Sequence, residues 1–389
     1  MTAADGTTGR YLVLMGDDWD TAPRELTRVA GIRAADSDEV GLAPSLWEAD
    51  GLVMRELGVA LVTADADQYA ALRRAADEPG PIALVEAERR VFAIEAAPAV
   101  KESAEVSGTT LTWGLRAVGA AAGHATGDGV RVAVLDTGMD LDHPDFAGRT
   151  VASRSFVKGE QVSDGHGHGT HCIGTSCGPR KPSEGPGYGV AYRADIHAGK
   201  VLSDEGSGAD GGILAGISWA LTNGCAVVSM SLGAPVEPGT PFSATFERIA
   251  RRALARGTLI VAAAGNESRR SAGQVAPVGH PANCPSILAV GAIDERLRVA
   301  DFSCGTVDDV GAVDLTGPGV GVHSSWPMPN RHKTISGTSM ATPHAAGVAA
   351  LISQTTGARG YELWARLVQT ARRLPLPATD IGAGLLRAP

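Results

Sequence analysis

Val132-Ala133-Val134-Leu135-Asp136-Thr137-Gly138 reads as a strand that ends on an acid and turns at once. Four apolar residues in a row leave no polar face, which suits a strand buried on both sides in a parallel sheet. Short runs of the same kind recur at 196–201, 226–231, 259–264 and 287–290, with helical stretches between them at 212–222 and 241–255. Alternating strands and helices predict an α/β unit of three layers around a mostly parallel sheet. Ligands of such sheets bind beyond the carboxyl ends of the strands, and both Asp136 and Asn266 fall there.

The 389 residues allow two domains, and a hydrophobic share of 44% excludes a disordered chain. The net charge of −9 is unevenly spread. Residues 1–100 carry 18 acids against 9 arginines, while the remainder is balanced at 25 of each, so two units with different tasks are expected. Within 10–94 the pattern reads as a small α+β unit, with strands at 11–15 and 59–62, a helix over 67–76, and a hairpin from 82–85 and 90–94. Residues 95–110 are rich in Ala, Pro, Ser and Thr and read as linker. The expected domains are thus 1–94, a linker over 95–112 and 113–389. No basic patch points to nucleic acid, and no apolar run is long enough for a bilayer. The acidic start lacks a secretory pattern, and the five cysteines lack metal spacing. Free thiols in a cytoplasmic protein are the expectation.

Two further blocks carry chemistry: Gly167-His168-Gly169-Thr170-His171 and Ser336-Gly337-Thr338-Ser339-Met340-Ala341-Thr342-Pro343-His344. A serine hydroxyl needs a neighbouring base, and a histidine base needs an acid to fix its tautomer. Asp136, His168 and Ser339 supply all three. Ser339 precedes an apolar helical run, so it sits near a helix N-terminus, where free N–H groups favour an oxyanion; Pro343 is expected in that helix's first turn. A zinc site at His166, His168 and His171 would leave the Ser339 block unexplained.

The order Asp, His, Ser, with these three blocks, resembles the subtilisin-like serine proteases over roughly residues 113 to 387. The resemblance implies a serine endopeptidase acting through a Ser339 acyl-enzyme, with the Asn266 amide as oxyanion donor. It implies that Ser231-Leu232-Gly233 and Gly206-Ser207-Gly208 flank an extended substrate. The first specificity pocket would be lined by Ala263, Ala264, Gly265 and Gly279, with Glu267 near its base. The N-terminal unit resembles the family's ferredoxin-like propeptide, an intramolecular inhibitor with an autoprocessing site within 94–112. Asp204, Glu205 and Asp210, the last where the family often has an aromatic wall, suggest a preference for basic side chains. Asp145 matches a family residue that often binds calcium, although the partner loop at 182–187 lacks the usual Asn; no other cofactor is implied. Cys172 resembles the thiol of the proteinase K-like branch, packed beneath the histidine. The expected partners are a peptide or protein substrate and the chain's own N-terminal domain, and the expected role is intracellular processing. The alternative is a latent binder of the same fold, held shut by residues 1–100.

Overall fold

The computed structural model describes residues 6–16, 19–36, 50–94 and 110–389. The larger unit is built on seven parallel strands. In spatial order they are Leu315–Pro318, Leu288–Ile293, Leu259–Ala263, Val227–Met230, Arg131–Asp136, Asp195–Lys200 and Val151–Ser155. Alternation along each strand sorts side chains onto two faces. Val132 and Val134 point into a core shared with the helices His168–Cys177 and Thr338–Thr356. Ala133 and Leu135 point the other way, towards the helices Asp210–Thr222 and Ala244–Ala255. Each fully buried Val, Leu or Ile contributes about 1.5–3 kcal/mol, so register along these strands is tightly fixed. The three layers agree with the expected architecture.

The N-terminal unit is a sheet with the strand order Ala34–Asp36, Gly51–Met54, Val59–Thr63, Thr7–Met15 and Ile82–Ala93. Its helices Ala22–Ala30 and Ala66–Ala76 share a separate core with Val13, Met15, Val53, Ala60 and Val62. The second helix is fixed by a capping box, in which Asp65 accepts from Gln68 N–H and the Gln68 side chain returns to Asp65 N–H. The opposite face of the sheet, with Leu12, Leu14, Leu52, Met54 and Leu61, packs into the core of the larger unit.

The expected hairpin over 82–94 is one unbroken strand, Ile82–Ala93. Glu86-Ala87-Glu88-Arg89 contains none of the Gly, Asn, Asp or Pro residues that reverse a chain. Most of the expected linker lies outside the described residues. Its end is docked: Thr112 N–H donates to Gly187 O at 3.0 Å. Among the described residues no helix is long and apolar enough to cross a membrane.

Candidate active site

Asp136 is the last residue of the central strand, and His168 is the first of its helix. The His168 ring Nδ1 lies 2.7 Å from Asp136 Oδ1, and both side chains are buried. The helix can begin there because Gly167 adopts φ +102°. A Cβ at Gly167 would lie 2.4 Å from the Trp326 ring. Asp164, which sequence reading passed over, holds the turn together. Its carboxylate accepts from Thr137 Oγ1, Gly167 N–H, Thr170 N–H and Thr170 Oγ1 at 2.7–2.8 Å. Burial alone would depress the His168 pKa, but the Asp136 carboxylate and the Cys172 sulfur raise it well above 6.5.

Ser339 is the second residue of the helix Thr338–Thr356. Pro343 therefore falls in the second turn, not the first as expected. Its missing N–H frees the carbonyl four residues back. That carbonyl, Ser339 O, accepts instead from Ser231 Oγ at 2.8 Å. Asn266 follows the strand Leu259–Ala263. Its Oδ1 accepts from Thr338 N–H and Thr338 Oγ1, both at 2.9 Å, which aims the amide nitrogen at the cleft.

The cleft is filled by the chain itself. The last part of the strand Ile82–Ala93 runs antiparallel between Ser207–Ala209 and Leu232–Gly233. Ala93 N–H donates to Gly206 O at 2.8 Å, and Ile94 N–H to Ser231 O at 3.4 Å. Ile94 O accepts from Ser339 Oγ and, at 3.2 Å, from Asn266 Nδ2. His168 Nε2 is buried and has no hydrogen-bond partner among the described residues. Ser339 and Asn266 thus meet on one peptide carbonyl, and Ser339 Oγ also lies 3.2 Å from Ser231 O.

Other candidates fall around this centre. Ala264 and Gly279 are joined by a 2.9 Å hydrogen bond, and a Cβ at Gly265 would lie 2.5 Å from Glu267 Oε2. Cys304, unremarked in the sequence, donates to that same oxygen at 3.1 Å. The acids expected to attract a basic side chain are mostly engaged. Asp204 accepts from Lys200 Nζ at 2.7 Å and Asp210 faces His280 Nε2 at 2.9 Å, leaving Glu205 exposed. Lys200 is itself fully buried and also donates to Thr137 O at 2.6 Å. Cys172 lies 3.8 Å from His168 Nδ1, and burial pushes its thiol up to about 11, so it remains protonated. His171 Nε2 is directed at Val322 O, 3.0 Å away, so the three histidines do not converge on a metal.

Asp145 does not fit calcium. Its Oδ2 accepts from the Tyr188 hydroxyl at 2.7 Å and faces His332 Nε2 at 2.8 Å, while its Oδ1 faces Arg331 Nη2 at 3.3 Å. The same guanidinium binds Ser183 and Glu184 of the partner loop. Burial would raise the Asp145 pKa, but hydrogen bonds from His332 and Tyr188 carry it down to about 2. A lowered carboxylate pKa stabilises the fold above the ordinary carboxylate range, and that contribution is lost as pH falls towards about 2. Arg331→Ala is expected to cost about 3 kcal/mol at neutral pH in urea unfolding, because a buried carboxylate loses its guanidinium partner. The loss is expected to shrink in acid.

Two carboxylates of the N-terminal unit seat on helix N-termini of the larger one. Glu86 accepts from Ser243 Oγ, Ala244 N–H and Thr245 N–H at 2.7–3.1 Å. Glu88, fully buried, accepts from Gly211 N–H at 2.9 Å and pairs with Arg10. Their spacing of two residues puts both on one face of the strand.

This fold with an Asp–His pair, a serine at a helix N-terminus and an amide donor defines a serine hydrolase of the subtilisin type. The model of the Subtilase family matches residues 127–384, and the chain belongs to that family of serine endopeptidases. It is 41% identical to the Alkaline protease of Alkalihalobacillus alcalophilus over 303 residues, 75% of this chain and 72% of that protein. It is 41% identical to Alkaline elastase YaB of Bacillus sp. (strain YaB), over 77% of this chain and 75% of the relative. With Subtilisin BL of Lederbergia lenta the identity is again 41%, over 70% and 93%.

Proposed function

We propose that this endopeptidase cuts its own Ile94–Glu95 bond and is then held latent by residues 1–94 until they are removed. One observation carries the reading: the Ile94 carbonyl lies between the Ser339 hydroxyl and the Asn266 amide. Ser339 Oγ attacks that carbon while His168 Nε2 takes the hydroxyl proton. Asn266 Nδ2 stabilises the oxyanion. The C–N bond breaks as His168 returns the proton to the departing Glu95 amine, leaving Ile94 esterified to Ser339. Water, deprotonated by His168, then releases the Ile94 carboxylate. Asp136 keeps the imidazole in the required tautomer and stabilises its charged form. No cofactor enters any step.

The side chain delivered to the first specificity pocket is isoleucine, so apolar residues before the scissile bond are the favoured class. The pairing of Asp204 and Asp210 weakens the case for a basic preference, which is left to the exposed Glu205. Latency is a stage of this cycle, since a cleft filled by 91–94 admits no other peptide. The five buried, unpaired thiols suit a reducing compartment, in keeping with intracellular processing.

Intact-mass measurement tests the reading. The wild type is expected to resolve into residues 1–94 and 95–389 on incubation at neutral pH, and Ser339→Ala to stay whole. A wild type that stays whole, or splits at another bond, would overturn it.

A further inference from the structure

We propose that Asp210, held by His280, is a specificity-determining group that accepts the main-chain N–H of the sixth residue before the scissile bond. The inference rests on the proposed register, in which Ile94 precedes the cut and Arg89 is the sixth residue back.

The substrate-like strand pairs with Ser207–Ala209 through Arg90↔Ala209, Val91↔Gly208 and Phe92↔Ser207. This ladder cannot continue, because a helix begins at Asp210 and the main chain turns away. The Asp210 side chain takes over at that point. Its Oδ2 accepts from Arg89 N–H at 3.0 Å, one residue beyond the last ladder pair. A carboxylate thus replaces the carbonyl that an edge strand would have offered, and the recognised segment grows from five residues, 90–94, to six.

The group is built for this use. Asp210 is 2% exposed and His280 1%. The His280 Nε2 lies 2.9 Å from Asp210 Oδ1, which points the other oxygen at the cleft. The imidazole is fixed in turn by Phe246, whose ring packs edge-on at 4.8 Å, and by paired main-chain hydrogen bonds between His280 and Ala234. The first turn of the helix is a favourable place for the charge. A bound peptide that covers Oδ2 without offering an N–H there leaves a buried acceptor without a donor, which is costly, so peptides that cannot donate at this position are rejected. The class selected is therefore extended chain reaching at least six residues back, with neither proline nor N-methylation at the sixth.

The test uses a synthetic peptide of residues 87–96 as substrate for the protein expressed as the full chain and allowed to mature. It is compared with versions N-methylated at Arg89 or at Arg90. In the chain itself Arg90 N–H donates to Gly6 O of the N-terminal unit, so the second version controls for the conformational effect of the methyl. On the wild type, methylation at Arg89 is expected to lower kcat/KM about tenfold relative to methylation at Arg90. Asp210→Ala is expected to abolish that difference, and Asp210→Asn, still an acceptor, to retain part of it. His280→Gln, still a donor, is expected to keep the discrimination, and His280→Leu to lose it. Equal effects of the two methyl groups on the wild type, or a difference that persists in Asp210→Ala, would overturn the inference while leaving the cut after Ile94 in place. Cleavage of the parent peptide at another bond, read by mass spectrometry, would instead overturn the register and this inference with it.

Discussion

Asp136→Asn is expected to lower kcat about 10⁴-fold with little change in KM, the loss typical of a triad deprived of its acid. The amide can offer its N–H to His168 Nδ1, which would fix the imidazole in the tautomer unable to take the Ser339 proton at Nε2. A second signature separates this from general damage. His168 is inactive when protonated, and the Asp136 charge is what lifts its pKa well above 6.5 against the effect of burial. The wild-type kcat/KM should therefore fall as pH drops through a value well above 6.5. In Asp136→Asn burial is unopposed by a full charge, so the residual activity should survive to lower pH. A pH profile of both proteins on one peptide checks the sign. An acid limb that fails to move would remove Asp136 from this role.

Asn266→Ala is expected to reduce kcat about 10²- to 10³-fold and to change KM by no more than about threefold. That magnitude is the one measured for the oxyanion asparagine of subtilisin, a relative of this chain, and is carried over here. The amide has two tasks in the structure. Its oxygen is tied to Thr338, and its nitrogen reaches Ile94 O. A 3.2 Å contact to a ground-state carbonyl is long, and it tightens as charge develops on the oxygen. The loss should therefore appear in turnover. Separate measurement of kcat and KM decides it, and a change confined to KM would assign Asn266 to substrate binding alone.

The parts of this protein that sequence made legible are those whose neighbours in space are also neighbours in sequence. The strand ending on Asp136, the glycine before His168 and the block around Ser339 each announce a local geometry. The less legible parts depend on distant partners. Asp210 reads as one of three acids beside the cleft, and only the fold brings His280 to it. Lys200 reads as part of an apolar run at 196–201, yet its Nζ is buried between Thr137 and Asp204. Asp145 matched a calcium residue by motif, while the side chains that occupy its carboxylate, Arg331 and His332, come from well over a hundred positions away. Glu86 and Glu88 fall between the two expected arms of the hairpin, and nothing local shows the two helix N-termini that receive them. The mistaken hairpin has a related cause. Periodicity marks where strands are apolar, and here polarity in mid-strand reflects docking onto another unit.

The two-faced packing of the N-terminal sheet bears on what happens after the cut. One face has its own helices, but Leu12, Leu14, Leu52, Met54 and Leu61 lie against the partner unit. Detached, the fragment would hold a bare greasy sheet in water with half of its support gone. A unit of this size has little stability to spare. On the proposed cycle its folded state would be borrowed from the enzyme it blocks, and once dislodged it would become unfolded chain, open to digestion by that enzyme. Each molecule freed would destroy inhibitor shed by others, so a population of latent copies would switch on with a delay and then all at once, with no route back.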